Sequence, residues 1–194
     1  MRRFALILMI AAGVLASCSG DGQGFTRSER GLIEGDGVMR VWTVDAPEDL
    51  SVLRAKSVDL PEAAIRSKLY ERLAARMLET VQSPEQDGVG IAAPQVGLKR
   101  RVVAVQRFDK EGEPFEVYAN IRIDSLWGAM RPGSEGCLSV PGKRGVVMRY
   151  DSLAISWNEG SGELRDTVGG FTAVIFQHEV DHLEGIIYTD KIIP

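Results

Sequence analysis

The feature that most constrains this chain is the run Gln-His-Glu-Val-Asp-His at residues 177–182. It contains the pattern His-Glu-x-x-His, in which His178 and His182 are four residues apart. On an α-helix, side chains at this spacing project from one face. The pattern therefore predicts a helix that presents both imidazoles to one metal ion, with Glu179 beside them to transfer protons. The chain has no other histidine, which favours a shared role for these two.

Two imidazoles do not complete a metal site, so a third ligand must come from another part of the chain. The chain has two cysteines, Cys18 and Cys137, and Cys18 belongs to the leader described below. Cys137 lies in a stretch punctuated by Gly and Pro. Together with the two histidines it would form a site with one sulfur, two nitrogens and an open fourth position, as catalytic metal sites have. The alternative is that Cys137 is a small buried apolar side chain.

A third segment, Gly-Val-Gly-Ile-Ala-Ala-Pro-Gln at residues 88–95, favours the metal site. With Glu-Gly-Cys-Leu-Ser at 135–139 and the histidine segment at 177–182, it resembles the three signature motifs of peptide deformylases. Those motifs run roughly GxGxAAPQ, EGCxS and QHExDHxxG, in the same order. The resemblance covers residues 38–194 and implies an α+β, peptide-deformylase-like fold, with antiparallel sheets packed around the metal-binding helix.

The resemblance also implies the chemistry, which is hydrolysis of the N-formyl group of N-formylmethionyl peptides with release of formate. One divalent metal ion would be held by Cys137, His178 and His182, and would lower the pKa of its bound water. Fe²⁺ is the favoured ion, although the ligand types also permit Zn²⁺, Ni²⁺ or Co²⁺.

The remaining roles follow from the same resemblance. Glu179 would move the proton from water to the leaving amine. The side-chain amide of Gln95 and the backbone N–H of Leu138 would stabilise the oxyanion. An extended peptide substrate would bind through main-chain hydrogen bonds, as an added strand. The residues expected to bind it are Val89, Gly90, Gly136, Leu138 and Arg144.

Three further residues are expected to support the site without binding the metal. Asp181 would orient an imidazole or the motif loop, and Glu135 would pair with Arg149. The chain departs from the family where many members have Asn-Pro before the second motif, since here the sequence is Asn120-Ile121. We interpret that departure as a change in packing.

The N-terminus has the layout of a secretory leader. A basic start precedes an apolar run at residues 4–16, which is too short for a comfortable membrane span. Leu-Ala-Ser-Cys at 15–18 resembles a bacterial lipobox, so we predict a signal peptide over 1–17, a lipidated Cys18 and a flexible tether over 18–37. Ser19 then favours the outer membrane. The alternative is a cytosolic protein that starts near Met39.

The part after residue 37 has the length of one domain, and we predict one catalytic domain over 38–194 that is monomeric. The formal net charge of −4 argues against a nucleic-acid partner. Apolar residues repeat every four positions over 61–81, which predicts one helix of about five turns, with Asp59 as its possible cap. A second helix is expected over 170–183, ended by Gly185. Strands are expected at 101–105, 115–123, 146–150, 153–157, 163–168 and 186–189.

Two other functions use part of the same pattern. A zinc endopeptidase shares His-Glu-x-x-His, but gives no role to the segments at 88–95 and 135–139. An envelope protein that captures formyl-peptides without turnover would agree with the leader. Such a binder would have no use for the intact Glu179, Gln95 and Cys137.

Overall fold

The computed structural model describes residues 24–194, so the leader and Cys18 lie outside the described residues. Five strands form one antiparallel sheet in the order β1-β2-β3-β4-β5. The strands are β1 (Gly90–Ala92), β2 (Val102–Gln106), β3 (Phe115–Cys137), β4 (Val140–Asn158) and β5 (Glu163–Gly169). The α-helices are α1 (Arg27–Glu34), α2 (Pro47–Leu53), α3 (Glu62–Ile65), α4 (Lys68–Val81) and α5 (Gly170–Leu183). Short 3₁₀ helices cover Ala93–Val96 and Tyr188–Lys191. The α+β class is as predicted.

Helix α5 contains the His-Glu-x-x-His pattern and packs on the sheet, as predicted. It contacts β1, β2 and β4, and its residues Phe176 and Leu183 are fully buried among strand residues such as Leu153 and Ile155. The helix ends where predicted, because Gly185 just after it has φ 74°, a left-handed conformation that favours glycine. The packing fixes the face of α5 that carries the histidines.

Strands β3 and β4 form one long hairpin, whereas the sequence predicted shorter, separate strands. They pair from Ala119↔Asn158 to Cys137↔Val140, and β-bulges take up the irregularities that the sequence pattern suggested as breaks. The tight turn after β3 is what places Cys137 at the end of the sheet. Strand β2 pairs with β3 only over residues 115–119, so the rest of β3 has β4 as its one strand neighbour among the described residues.

The departure at Asn120-Ile121 is a packing feature, as interpreted. Asn120 has φ 55°, and asparagine tolerates this left-handed conformation better than most residues. Its side chain accepts a hydrogen bond from the Leu60 N–H (2.7 Å) and donates one to the Leu60 carbonyl (2.8 Å). Ile121 is fully buried. This bend marks the point where β3 leaves β2.

The single helix predicted over 61–81 is in fact two helices. The chain breaks between α3 and α4 at Ser67, which has an extended ψ of 152° and accepts a hydrogen bond from the Tyr70 N–H (3.2 Å) as the N-cap of α4. Asp59 caps neither helix and instead pairs with Arg122 (2.7 Å). The four-residue apolar spacing continues across the break, which is why the sequence pattern did not reveal it.

The flexible tether predicted over 18–37 is wrong for residues 24–37. Helix α1 begins with a capping box, in which the Thr26 hydroxyl accepts from the Glu29 N–H (3.2 Å) and Glu29 accepts from the Thr26 N–H (2.7 Å). Phe25 and Ile33 are buried in the same apolar cluster as α4. Arg76 of α4 donates to the carbonyl of Ile33 in α1 and to that of Gly37 just after the helix. This segment is part of the folded body.

Truncation of Ile33 tests that correction. Because Ile33 is completely buried, Ile33→Ala should lower the free energy of unfolding by about 2–5 kcal/mol, measured by urea denaturation of the metal-loaded protein. Glu34→Ala, an exposed change in the same helix, serves as the control and should have a much smaller effect. If residues 24–37 were a tether, both variants would unfold like the wild type.

The strand predicted over 186–189 is also wrong. Tyr188–Lys191 forms a 3₁₀ helix, and Ile187 and Tyr188 are buried beside Val147 in a small apolar cluster. Over only four positions, a short strand and a short buried helix can have the same apolar composition, so the sequence pattern did not distinguish them.

Within residues 24–194, no helix combines the length and the apolar composition needed to cross a membrane.

Candidate metal centre

The end of β3 and helix α5 bring the three predicted ligands together. One donor atom each from Cys137, His178 and His182 lies within 4.8 Å of the others. The Cys137 sulfur is 3.2 Å from Nε2 of His182. Cys137 is a free cysteine, so its sulfur is available as a ligand.

The donor set fits a single transition-metal ion. Burial lowers the pKa of His182 well below its ordinary value, which keeps this imidazole neutral as a ligand must be. Nδ1 of His182 and Oε2 of Glu179 are buried without a hydrogen-bond partner in the described part of the chain. Nε2 of His182 faces the Cys137 sulfur, so a shared ion would bind at that nitrogen and not at Nδ1. Buried polar atoms in proteins usually have partners, so the unpaired Oε2 of Glu179 suits a water molecule bound to the ion. One thiolate and two imidazoles suit Fe²⁺, Zn²⁺, Co²⁺ or Ni²⁺ and leave a coordination position open.

A buried carboxylate orients His178. Glu135 Oε2 lies 2.8 Å from Nδ1 of His178, which leaves Nε2 of that ring for a metal. Burial alone would raise the pKa of Glu135, but hydrogen bonds with His178 and Arg149 outweigh it and lower the pKa to about 2. Burial alone would lower the pKa of His178, but its hydrogen bonds to Cys137 and Glu135 raise that pKa to about 10, so an ion that binds at Nε2 would displace a proton from this ring. The carboxylate therefore stays ionised and fixes the ring.

The predicted supporting residues form one chain of ion pairs behind the ligands. Arg149 donates to both oxygens of Glu135 (2.7 and 3.0 Å) and to Asp181 (2.6 Å). Asp181 also accepts from Lys191 (2.7 Å), a partner that the sequence analysis missed. All of these except Lys191 are largely shielded from solvent. We had expected Asp181 to orient an imidazole or the motif loop. Its side chain contacts Arg149 instead of an imidazole.

Glu179 is buried beside the ligands and faces β1. Burial raises its pKa to about 7. Gly90 of β1 makes room for it: a Cβ added to Gly90 would lie 2.5 Å from Oε1 of Glu179 and 2.8 Å from the Ile175 side chain. Only glycine permits so close an approach of strand and carboxylate.

Gln95 is also held against the cluster. Its Oε1 accepts the Ala92 N–H (2.8 Å), and its Nε2 donates to the Ser139 hydroxyl (3.3 Å) and points at the Cys137 sulfur (3.5 Å). The side chain is nearly fully buried, so its direction is set. Ser139 was not predicted as a partner, and no signal besides its place in the second motif could have found it.

An open cleft of about 660 Å³ runs past these groups. The predicted peptide-binding residues Val89, Gly90, Gly136, Leu138 and Arg144 all line it. Arg144 is held at the rim by Ser134, to whose hydroxyl (3.2 Å) and carbonyl (3.1 Å) it donates. Helix α5 contributes an apolar wall that was not predicted from the sequence. That wall consists of Phe171, Val174 and Ile175.

The sequence spacing of these apolar residues could have predicted that they lie at the site. They precede His178 by seven, four and three residues, which places them on its helical face. Tyr188 was also missed: its ring stacks on His178 at 6.0 Å between centroids. It lies in the segment wrongly predicted as a strand, so no contact with the site was expected.

Replacing Gly90 tests the tight approach at Glu179. The methyl group of Gly90→Ala would displace the carboxylate, so formate release from formyl-Met peptides should fall by about 10²-fold in kcat/KM. Metal content should stay at the wild-type value, because Gly90 donates no ligand. Gly31→Ala, at a glycine with no atom within 4 Å of the added methyl, is the control. Wild-type activity in Gly90→Ala would contradict the geometry.

The antiparallel sheet, the His-Glu-x-x-His helix and the Cys-His-His cluster in an open cleft are together those of a metal-dependent hydrolase. The family described as polypeptide deformylase matches residues 38–194, and the chain belongs to this family.

Relatives and solved structures agree. The chain is 38% identical over 149 residues to a peptide deformylase of Leptospira biflexa, covering 73% of this chain and 82% of that protein. It is 43% identical over 144 residues to one of Desulforudis audaxviator, covering 69% and 90%. A class I type b peptide deformylase from Acinetobacter baumannii, solved with Met-Ala-Ser bound, superposes with a TM-score of 0.70. That structure is 33% identical, with 80% of this chain and 98% of that one covered.

Proposed function

We propose that this chain hydrolyses the N-formyl group of N-formylmethionyl peptides and releases formate. The observation that supports this most strongly is the Cys137, His178 and His182 cluster with a buried Glu179 beside it, in a chain of the deformylase family. The Acinetobacter relative was solved with the peptide Met-Ala-Ser, which has the sequence of a deformylated product.

Cys137, His178 and His182 would hold one divalent ion, for which Fe²⁺ is our first choice, with Zn²⁺, Ni²⁺ and Co²⁺ as alternatives. When bound, such an ion acts as a Lewis acid that lowers the pKa of a water molecule and polarises a carbonyl oxygen. Glu135, positioned by Arg149, would hold His178 in the tautomer that ligates, as carboxylates do for many metal-bound histidines.

Glu179 would transfer the proton. As water attacks the formyl carbon, Glu179 accepts a proton from it, and then donates that proton to the amine as the carbon–nitrogen bond breaks. The products are formate and a peptide with a free N-terminus. Burial of Glu179 and its lack of a fixed partner at Oε2 support this role.

Gln95 and Leu138 would stabilise the charge that develops on the formyl oxygen. The Nε2 group of Gln95 already points at the ligand cluster, so little reorganisation is needed. The peptide would lie along Val89, Gly90 and Gly136 as an added strand, with Arg144 at the rim. A formyl carbon bears only hydrogen, so we expect it to fit against the backbone of Gly90 and Leu138, where an acetyl methyl group would collide.

The decisive test is formate release by the purified chain, loaded anaerobically with metal. We expect turnover of formyl-Met-Ala peptides and no cleavage of acetyl-Met peptides or internal peptide bonds. Cleavage of an internal bond would instead favour the endopeptidase. Tight binding of formyl-peptides by a fully metallated sample without formate would favour the binding protein.

We further propose that Cys18 is lipidated and that the catalytic domain lies in the cell envelope, at the outer membrane. The order of basic start, apolar run and Leu-Ala-Ser-Cys supports this. The alternative, a cytosolic chain that starts near Met39, would lack Phe25 and Ile33, which are both buried in the core. The folded part therefore begins earlier than that start allows, and we extend the proposed catalytic domain to residues 24–194.

Mass spectrometry of the native N-terminus tests this location. We expect a lipidated Cys18 in the membrane fraction, and unprocessed precursor when Cys18→Ser is expressed, with the activity of the folded domain unchanged. A soluble protein that begins at Met39 would overturn the proposal.

We also propose that the chain is monomeric and, given its net charge of −4, that it binds no nucleic acid. Size-exclusion chromatography with light scattering tests whether it is monomeric.

A further inference from the structure

A second cleft of about 520 Å³ adjoins the metal cleft. Phe171 and Val174 of α5 line both clefts, so the two spaces meet at the apolar wall that faces the metal ligands. None of the roles described above uses this second space. It is therefore a candidate extension of the substrate site.

Strand β3 forms the opposite wall of both clefts. Residues 134–137 line the metal cleft, and residues 131–133 line the second cleft. This part of β3 has left β2, which pairs only with residues 115–119, so β4 is its one strand neighbour among the described residues. A groove thus continues along β3 from the metal ligands into the second cleft.

Gly133 lies where the two clefts join. The register of β3 with β4 is unbroken from Met130 to Gly136, so alternate residues Arg131, Gly133 and Glu135 share one face of the sheet. Glu135 contacts His178 on α5, so a side chain at residue 133 would also project toward α5. A Cβ there would meet no atom within 4 Å, and φ of Gly133 is not left-handed. Neither crowding nor the backbone requires glycine, and its effect is to leave the passage open.

The second cleft suits a long, uncharged chain. Its near wall is the apolar pair Phe171 and Val174. Its far side holds the ion pair of Arg131 and Asp151 (3.5 Å), and Asp151 also accepts from the Ser152 hydroxyl (3.1 Å). Arg149 also lines the cleft, but it is paired with Glu135 and Asp181, so each charged group of the lining has a partner of opposite sign and neither sign of charge is favoured.

We propose that the second cleft extends the pocket for the first side chain of the substrate, and that Gly133 determines this specificity. This inference rests on the proposed deformylase function, since the formyl group must lie at the metal ligands for the first side chain to reach Phe171 and Val174. The chain then accepts N-formyl peptides whose first side chain is unbranched, uncharged and clearly longer than that of methionine.

Two formyl-peptides that differ only in the length of a linear first side chain test the proposal. Formyl-norleucyl-alanine matches methionine in length, and formyl-2-aminodecanoyl-alanine is four carbons longer. For the metal-loaded wild type we expect similar kcat/KM for both. In Gly133→Leu the ratio of long to short should fall about tenfold or more, because a leucine side chain blocks the passage. Gly133→Ala should lie between them.

The control is Ser125→Leu, which adds the same side chain to an exposed position of β3 outside both clefts and should leave the ratio at the wild-type value. Discrimination of tenfold or more against the long peptide by the wild type, or equal losses for both peptides in Gly133→Leu, would overturn the inference. Failure of the wild type on the norleucyl peptide would instead overturn the proposed function. In that case calorimetric binding of the two deformylated peptides still tests the cleft, with selective weakening of the long one expected in Gly133→Leu.

Discussion

Glu179→Gln should keep its metal and lose its rate. Glutamine has the size and shape of glutamate, so it fits the narrow space beside Gly90, but its amide cannot accept a proton from water. General acid–base catalysis contributes about 10²–10⁴-fold, and we expect kcat for formyl-Met-Ala to fall by that factor. The measurement pairs steady-state formate release with metal analysis of the same sample.

The matched control is Glu71→Gln, the same change at an exposed position of α4, which should retain wild-type kcat. Near-normal kcat in a fully metallated Glu179→Gln variant would show that another group transfers the proton. Loss of metal together with rate would make Glu179 a ligand, and the three-residue set would then be wrong.

The site was more predictable than the fold around it, and the reason is physical. His178 and His182 owe their relative placement to helical geometry alone, which a five-residue stretch of sequence specifies. Cys137 is brought to them by a hairpin of two long strands, and no local rule predicts that approach. Its placement was inferred because the motif around it resembles a family.

The wrong predictions of secondary structure share one origin. Tertiary contacts determined the conformation of segments whose local composition fits more than one structure. Residues 18–37 contain glycine and serine and were interpreted as a tether, yet Phe25 just before α1 and Ile33 within it are buried in the same apolar cluster as α4. The capping box of Thr26 and Glu29 was a readable helix start within that stretch. Likewise, the break at Ser67 was hidden because the apolar spacing continues across it.

Cys137→Ala should lower bound metal to well below one ion per chain. Removing a group that merely orients a ligand costs about 10–100-fold in metal affinity, so removing one of three ligands should cost more. The remaining imidazoles of His178 and His182 provide two nitrogens, which is fewer than the three protein ligands of catalytic sites. Metal per chain, measured after dialysis against a competing chelator, gives the affinity. Ser134→Ala, three residues earlier in the same strand, is the control.

Cobalt substitution makes this last test specific to the sulfur. A thiolate bound to Co²⁺ gives a near-ultraviolet charge-transfer band, which the wild type should show and Cys137→Ala should lack. Loss of the band with loss of affinity is the expected result. A wild type that lacks the band, together with full occupancy and unchanged affinity in Cys137→Ala, would mean that Cys137 is not a ligand. A carboxylate that lines the cleft, such as that of Glu135 or Glu179, would then complete the site.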